Sequence, residues 1–326
     1  MTLLDVLCVG ASVVDIPLRP VDRTVFDTVS YPVDDISMQV GGDALNESII
    51  LSRLGARVGL VTAVGDDAAG SLIVATARAE GVDVSRVTVS RDLTTSLNVG
   101  LVRPDGERTF ITSRNGSLWR TRETDLDLTG RLGYARVLAF GSVFNNPLLS
   151  CRWMAELFGR AKDAGMTVCA DMVPSRTGAG LEELSPALEH IDYFLPNADE
   201  AVELTGALDA RQAASVLHDR GVGTVVLKTG SRGCLVHNDE TTRIVPAFRR
   251  APVDTTGAGD NFAAGFILAL LAGMDPVDAA VFGNGTAAVS VGGLGATTAV
   301  RSREQVEEFI AGHREEADGA EGLGAP

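Results

Sequence analysis

The residues with the plainest chemical potential lie in one stretch, Val253-Asp-Thr-Thr-Gly-Ala-Gly-Asp-Asn-Phe262, followed by the apolar run Ala263-Ala-Gly-Phe-Ile-Leu-Ala-Leu270. A strand end, then Gly257-Ala258-Gly259, then a helix-forming run leaves amides at the helix start without intrahelical partners, where the macrodipole is positive. Small residues let an anion approach that backbone. The combination suits a phosphate, or charge developing on a transferred phosphoryl group. Asp260 at the entrance would be repelled by phosphate unless its task is to take a proton from an attacking hydroxyl. A plain helix N-cap is the other use for an aspartate here, and Gly-x-Gly-Asp alone would favour it. The whole stretch favours the base.

Such a turn needs a sheet behind it. Short apolar runs at Val6–Val9, Val58–Val64, Val137–Phe140, Thr167–Ala170, Tyr193–Leu195 and Thr224–Leu227 read as strands. Segments near 43–54, 68–80, 148–163, 198–219, 258–272 and 276–290 read as helices. Strand–helix alternation predicts an α/β fold: a mostly parallel central sheet with helices on both faces. Residues 16–40 and about 93–113 carry strand signals without helices between them, and Asp105-Gly106 is a hairpin signal. They are expected to form a small antiparallel β lid on a single kinase-sized domain of residues 1–314. The acidic, Gly/Ala-rich residues 315–326 are expected to be a disordered tail.

The chain has 326 residues, 45% of them apolar, and a formal net charge of −15. A surface that acidic repels nucleic acid and anionic membranes, so neither is expected as a partner. The cysteines Cys8, Cys151, Cys169 and Cys234 show no metal-ligand spacing and read as buried, reduced thiols. No apolar run has membrane-spanning length, and residues 1–10 carry no signal-peptide pattern, so a cytoplasmic protein is expected.

Four ordered motifs carry a resemblance to a known family. Asp254-Thr-Thr-Gly-Ala-Gly-Asp260 resembles the C-terminal signature of the ribokinase-like (PfkB) carbohydrate kinases, and Gly41-Gly42-Asp43-Ala44-Leu45-Asn46-Glu47-Ser48 resembles the N-terminal one. Pro196-Asn197-Ala198-Asp199-Glu200 is similar to the family's metal motif, and Lys228-Thr229-Gly230-Ser231-Arg232-Gly233 to its nucleotide turn. The resemblance runs from about residue 6 to 310.

It implies phosphoryl transfer from ATP to a sugar hydroxyl, with Asp260 as general base and the amides of Gly257, Ala258 and Gly259 as the anion hole. Asn197 and Glu200 would hold Mg2+ and its waters; on the residues alone, a capped surface helix explains that pair better. Thr229, Gly230, Gly233 and Asn284 would line the nucleotide site. Lys228 would face phosphate or simply end its strand, and both readings stay open. Asp254, Thr256, Ser290, Gly293 and Gly295 resemble a site for a monovalent cation, K+. Asp15, Gly41, Gly42, Asp43 and Asn46 would bind the sugar, and Arg114 stands where relatives with ketose or sugar-acid substrates place an arginine.

Three departures bear on the sugar: Val13 replaces a common Asn, Asp43 replaces a common Lys, and Phe140-Gly-Ser-Val143 lacks the glutamate of the ribose site. They favour a fructose-like ketohexose, or a sugar acid such as 2-keto-3-deoxygluconate, over ribose. A nucleoside kinase of the same family and a catalytically silent sugar or nucleotide sensor are the alternatives. An apolar face on the lid would favour a homodimer through it.

Overall fold

The computed structural model describes residues 3–104, 108–126, 128 and 132–313. The expected tail at 315–326 and the Asp105-Gly106 turn lie outside the described residues.

The chain opens with β1 (Leu4–Gly10), which becomes the centre of the main sheet, and β2 (Val13–Arg19), which leaves it. Two short strands, β3 (Asp35–Ile36) and β4 (Gln39–Gly41), lead into helix α1 (Asp43–Arg53). Next come β5 (Val58–Gly65), α2 (Ala68–Ala79) and β6 (Asp83–Ser90), then β7 (Leu97–Val102), β8 (Arg108–Thr112) and a single helical turn, α3 (Ser117–Arg120). The second half alternates more regularly: β9 (Ala135–Val143), α4 (Cys151–Asp163), β10 (Thr167–Met172), α5 (Leu181–Leu188), β11 (Tyr193–Phe194), α6 (Ala198–Thr205), α7 (Ala210–Asp219) and β12 (Thr224–Lys228). A hairpin, β13 (Cys234–His237) and β14 (Thr242–Val245), precedes α8 (Ala258–Leu271), α9 (Pro276–Ser290) and α10 (Arg303–Gly312).

Nine strands form the main sheet in the order β14-β13-β12-β11-β10-β9-β1-β5-β6. Pairing is parallel from β6 to β12 and antiparallel across the final hairpin. One buried cluster joins the sheet to α1, α2, α8 and α9, and a second joins its other face to α4, α5, α6 and α7. Strands covered on both faces read as continuous apolar runs, which is why they stand out in the sequence. The expected helix at 198–219 is instead two, because Gly206 adopts a left-handed φ of 67° and caps α6.

The other strands form a separate small sheet, β3-β2-β7-β8, with β4 also paired to β2. Its pairs are antiparallel except β2–β7, which is parallel. It begins at Val13, slightly earlier than the expected 16. By alternation along the strands, Asp15, Pro17, Asn98, Arg108 and Phe110 share one face.

Chain order runs outward from β1 in both directions, through β5 on one side and β9 on the other. In such sheets the ligand crevice opens at the carboxyl ends of the strands beside this reversal. Gly10, Gly141, Asp171 and Lys228 all lie at or beside those ends.

Helices α8 and α9 pack closely because glycines face each other. A Cβ on Gly265 would fall 2.8 Å from Thr286 Cβ and overlap its hydroxyl. Gly265→Ala should therefore cost about 1–3 kcal/mol, the usual result of overpacking a filled core, read as a lower midpoint in urea unfolding.

Candidate active site

The site is built where α8 begins. Gly257, with φ 70°, turns the chain into the helix, and a Cβ there would lie 2.5 Å from Ala296 Cβ. Among the described residues the amides of Gly257 and Gly259 have no hydrogen-bond partner, whereas that of Ala258 closes a turn onto Thr255 O at 3.2 Å. The expected three-amide anion hole is thus two free amides and one already engaged. Asn261, which sequence reading passed over, fixes the loop: its Nδ2 donates to Gly257 O at 2.7 Å and Ala296 O at 2.8 Å.

Asp260, in the first turn of α8, accepts a hydrogen bond from Asn46 Nδ2 at 2.7 Å. Asn46 comes from α1, whose start is set by Gly42 at φ 95°. A Cβ on Gly42 would lie 2.6 Å from Ala11 O, and one on Gly41 would overlap the Asp15 carboxylate. Both glycines permit close approach. Asp43 accepts from Ser142 Oγ at 2.6 Å and Asn145 Nδ2 at 2.7 Å, and Asp15 accepts from Asn98 Nδ2 at 2.9 Å. The oxygens Ser12 Oγ, Asn46 Oδ1 and Asn98 Oδ1 and the nitrogen Trp119 Nε1 are buried without partners among the described residues. Buried polar atoms are normally paired, so these are the atoms of the cluster that remain available to accept or donate a hydrogen bond. Ser12, Asn98 and Trp119 carry no local sequence signal; Trp119 packs against Ala11 and Val13 only through the fold. Arg114 is exposed after β8 and makes no hydrogen bond or ion pair among the described residues.

On the other side of Asp260 lies a cavity of about 600 Å³ whose lining includes Lys228, Gly230, Gly233, Gly259 and Asn284. Thr229 does not line it; its amide and hydroxyl both bond Gly233 O, shaping the turn. Asn284 donates to Val245 O and Pro246 O, each at 3.1 Å, so it also holds the cavity wall. Lys228 pairs with Asp171, which lies one residue beyond the strand read from sequence. Asn197 and Glu200 form a reciprocal capping box on α6, at 2.8 Å each way, while the other Glu200 oxygen has no bond among the described residues.

Of the expected cation ligands, Asp254, Thr256 and Gly295 meet. Asp254 accepts from Thr256 N and Oγ1, from Gly295 N and from Arg108. Ser290 Oγ turns back onto Ala287 O, and Gly293 N bonds Ser290 O.

The family pattern described as pfkB family carbohydrate kinase matches residues 3–303. The chain belongs to the pfkB family of carbohydrate kinases. Ribokinase of Haemophilus influenzae is 29% identical over 276 residues, covering 83% of this chain and 87% of that one. The crystal structure of ribokinase from Thermotoga maritima superposes with a TM-score of 0.81 at 25% identity, over 94% of this chain and 99% of that one. The structure of Arabidopsis thaliana ribokinase complexed with ribose and ATP shares the fold, with a TM-score of 0.80 at 23% identity over 95% of this chain and 99% of that one.

The kinase concentrates negative charge at this site. Burial, then the neighbouring Asp43, pushes the Asp260 carboxyl well above its ordinary range, against the Asn46 hydrogen bond. Glu47, only 2% exposed, is pushed well up by burial and then by Asp260, Asp171 and Asp43. Burial raises Glu200 to about 7. Each of these groups binds its proton more tightly folded than unfolded. The stability they give is complete below the ordinary carboxylate range and is lost as pH rises through the raised values. The Mg2+-free and nucleotide-free protein should therefore lose melting temperature between about pH 5 and pH 8. Glu47→Gln should melt about 1–2 °C above the unsubstituted protein at pH 8, as about 1 kcal/mol would give in a domain of this size. At about pH 4, below the ordinary glutamate range, the two should coincide. Parallel melting curves against pH would refute the buried-carboxylate account.

Proposed function

We propose that the kinase transfers the γ-phosphoryl group of ATP to a hydroxyl of a small sugar, with Asp260 as the general base. The observation that carries this reading is the position of Asp260. Its carboxylate lies at a helix start with two free amides, is reached by Asn46 from the sugar side, and adjoins Gly259 on the wall of the large cavity. An acceptor hydroxyl placed between Asn46 and those amides meets the base and the anion-stabilising donors together. The raised pKa makes Asp260 a better proton acceptor than a solvated aspartate. The cavity suits the nucleotide, with the Gly230–Gly233 turn and Gly259 allowing phosphates to approach backbone. The Arabidopsis ribokinase solved with ribose and ATP supports that assignment.

Asn197 and Glu200 fit a Mg2+ ion held largely through water, because one buried-side carboxylate oxygen of Glu200 remains available. Bound there, the ion would neutralise phosphate charge. Among the described residues no group of three or more His, Cys, Asp or Glu is placed to hold a metal by itself.

The sugar side presents the carboxylates Asp15 and Asp43 and the unpartnered acceptors Asn46 Oδ1 and Asn98 Oδ1. Acceptors of this kind select hydroxyl donors. Val13 and Gly141-Ser142-Val143 favour a ketohexose or a sugar acid over ribose. The small sheet acts as the lid over this pocket. Its opposite face carries Ile36 and Ile111, 63% and 55% exposed, and a second copy of the lid is the cover proposed for them.

A coupled ADP-release screen across ketoses, aldoses, sugar acids and nucleosides tests the substrate. With the accepted sugar, Asp260→Asn should lower kcat by about 10²–10⁴-fold, the range for a lost general base, while ATP affinity holds. Unchanged turnover would remove Asp260 from this role. Sedimentation should show a dimer that Ile36→Glu converts to monomer; a monomeric unsubstituted protein ends the lid-pairing idea.

A further inference from the structure

The lid touches the anion-hole loop through one charged contact. Arg108, at the start of β8, places Nη2 2.7 Å from Asp254 Oδ1 and 3.3 Å from Thr255 Oγ1. The pair is well covered, at 22% and 14% side-chain exposure, and flanks a cavity of about 90 Å³ that Asp15, Gln39 and Phe110 also line. One end of the contact is therefore on the proposed lid. The other is three residues before Gly257.

The chemistry at Asp254 leaves little room for the monovalent cation that the sequence resemblance implies. A carboxylate offers about four acceptor positions. Oδ1 receives Thr256 N at 2.8 Å, Thr256 Oγ1 at 2.7 Å and Arg108, and Oδ2 receives Gly295 N at 2.9 Å. Burial works against ionisation, but the bonds from Thr256 and Gly295 and the charge of Arg108 hold the carboxyl below its ordinary value. Two further expected oxygens are engaged locally: the Ser290 hydroxyl donates to Ala287 O, and the Ser290 carbonyl accepts from Gly293 N at 3.3 Å. A second guanidinium, Arg250, lies so close to Gly292 that a Cβ there would overlap it. Two fixed cations thus border the loop where a third would sit. The residues do not fit K+.

We propose that Arg108 is a positioning residue for phosphoryl transfer, its guanidinium taking from the lid the place beside Asp254 that a free monovalent cation would otherwise fill. Lid closure and ordering of the Gly257–Gly259 loop are then one event. With the lid shut, Asp254 is neutralised and holds Thr256 and Gly295; with it open, Asp254 loses its charge partner and the loop loses its brace. The enzyme is independent of K+ as a consequence.

The test compares the unsubstituted protein with Arg108→Ala in potassium chloride and in choline chloride at equal ionic strength. Calorimetric binding of the MgATP analogue MgAMPPNP is one readout. ADP release with D-fructose, D-ribose and 2-keto-3-deoxygluconate is the other. The unsubstituted protein should give the same affinity and turnover in both salts, within about twofold. Arg108→Ala in choline should lose about ten- to a hundredfold in kcat, the cost of a misplaced catalytic loop, with a smaller change in KM. Potassium should restore part of that loss and tighten analogue binding; a merely structural arginine would give no such rescue. Activation of the unsubstituted protein by potassium, or an Arg108→Ala loss indifferent to potassium, would overturn the proposal. If Arg108→Ala does not fold, crystals of the unsubstituted protein grown in rubidium chloride decide: anomalous density beside Asp254 refutes it, and its absence upholds it. The proposal rests on the kinase reading, but analogue binding needs no sugar, so failure of the sugar panel leaves this arm informative.

Discussion

Lys228 and Asp171 face each other at the carboxyl ends of β12 and β10, and Asp260 and Glu47 lie within electrostatic reach of both. Asp43 adds a further negative charge beside them. One ammonium cannot balance that many carboxylates, and an unpaired buried charge is costly. The raised proton affinities of the Asp260 and Glu47 carboxyls are the expression of that crowding. Although burial opposes it, Asp171, with Glu200 and Asp260, keeps the Lys228 ammonium charged. The same crowding that destabilises ionised Asp260 makes it avid for a proton, so basicity at this aspartate and strain on the fold have one origin. Proton affinity of this kind is what a base acting on an alcohol requires.

The parallel sheet makes the crowding unavoidable. Strand ends of one polarity collect at one rim, and α1 and α8 both present their N-termini there. A helix N-terminus favours negative charge, so Asp43 and Asp260, each in a first turn, are partly compensated by the backbone. Glu47 has no such help. It lies further along α1, buried, and makes no hydrogen bond among the described residues.

The parts of this site legible in sequence are those whose function depends on local spacing. Gly257 through Asp260 announce a turn, an anion and a helix within one segment, and Gly41-Gly42 announce close approach beside a packed helix. Alternation of apolar runs with helical segments was sufficient for the layered fold, because doubly covered strands are apolar throughout. Asp171, Asn98, Ser12 and Trp119 were illegible for the opposite reason. Asn98 gains its meaning from Asp15 across the β2–β7 pair and Asp171 from Lys228, while Ser12 and Trp119 are set beside the site only by the fold. The capping box of Asn197 and Glu200 shows an ambiguity that spacing cannot resolve, since both the cap and the expected metal role use the same offset of three residues. Arg108 was read only as part of a hairpin, and its partner loop lies 147 positions away.

That distance explains how a lid can affect chemistry it does not touch. The small sheet meets the crevice along the face bearing Asp15, Asn98 and Arg108, so the proposed sugar position at Asp15 and the loop before α8 are linked through one sheet. On the proposed reading, sugar binding that settles the lid would also settle Asp254 and, through its bonds from Thr256, the approach to Gly257. On the same reading, an acceptor that holds the lid against the loop would favour the braced arrangement, and water, which cannot hold the lid shut, would be discriminated against. In an acidic chain the device has a further advantage. As proposed, a guanidinium fixed to the lid would deliver positive charge to the loop on closure and withdraw it on opening.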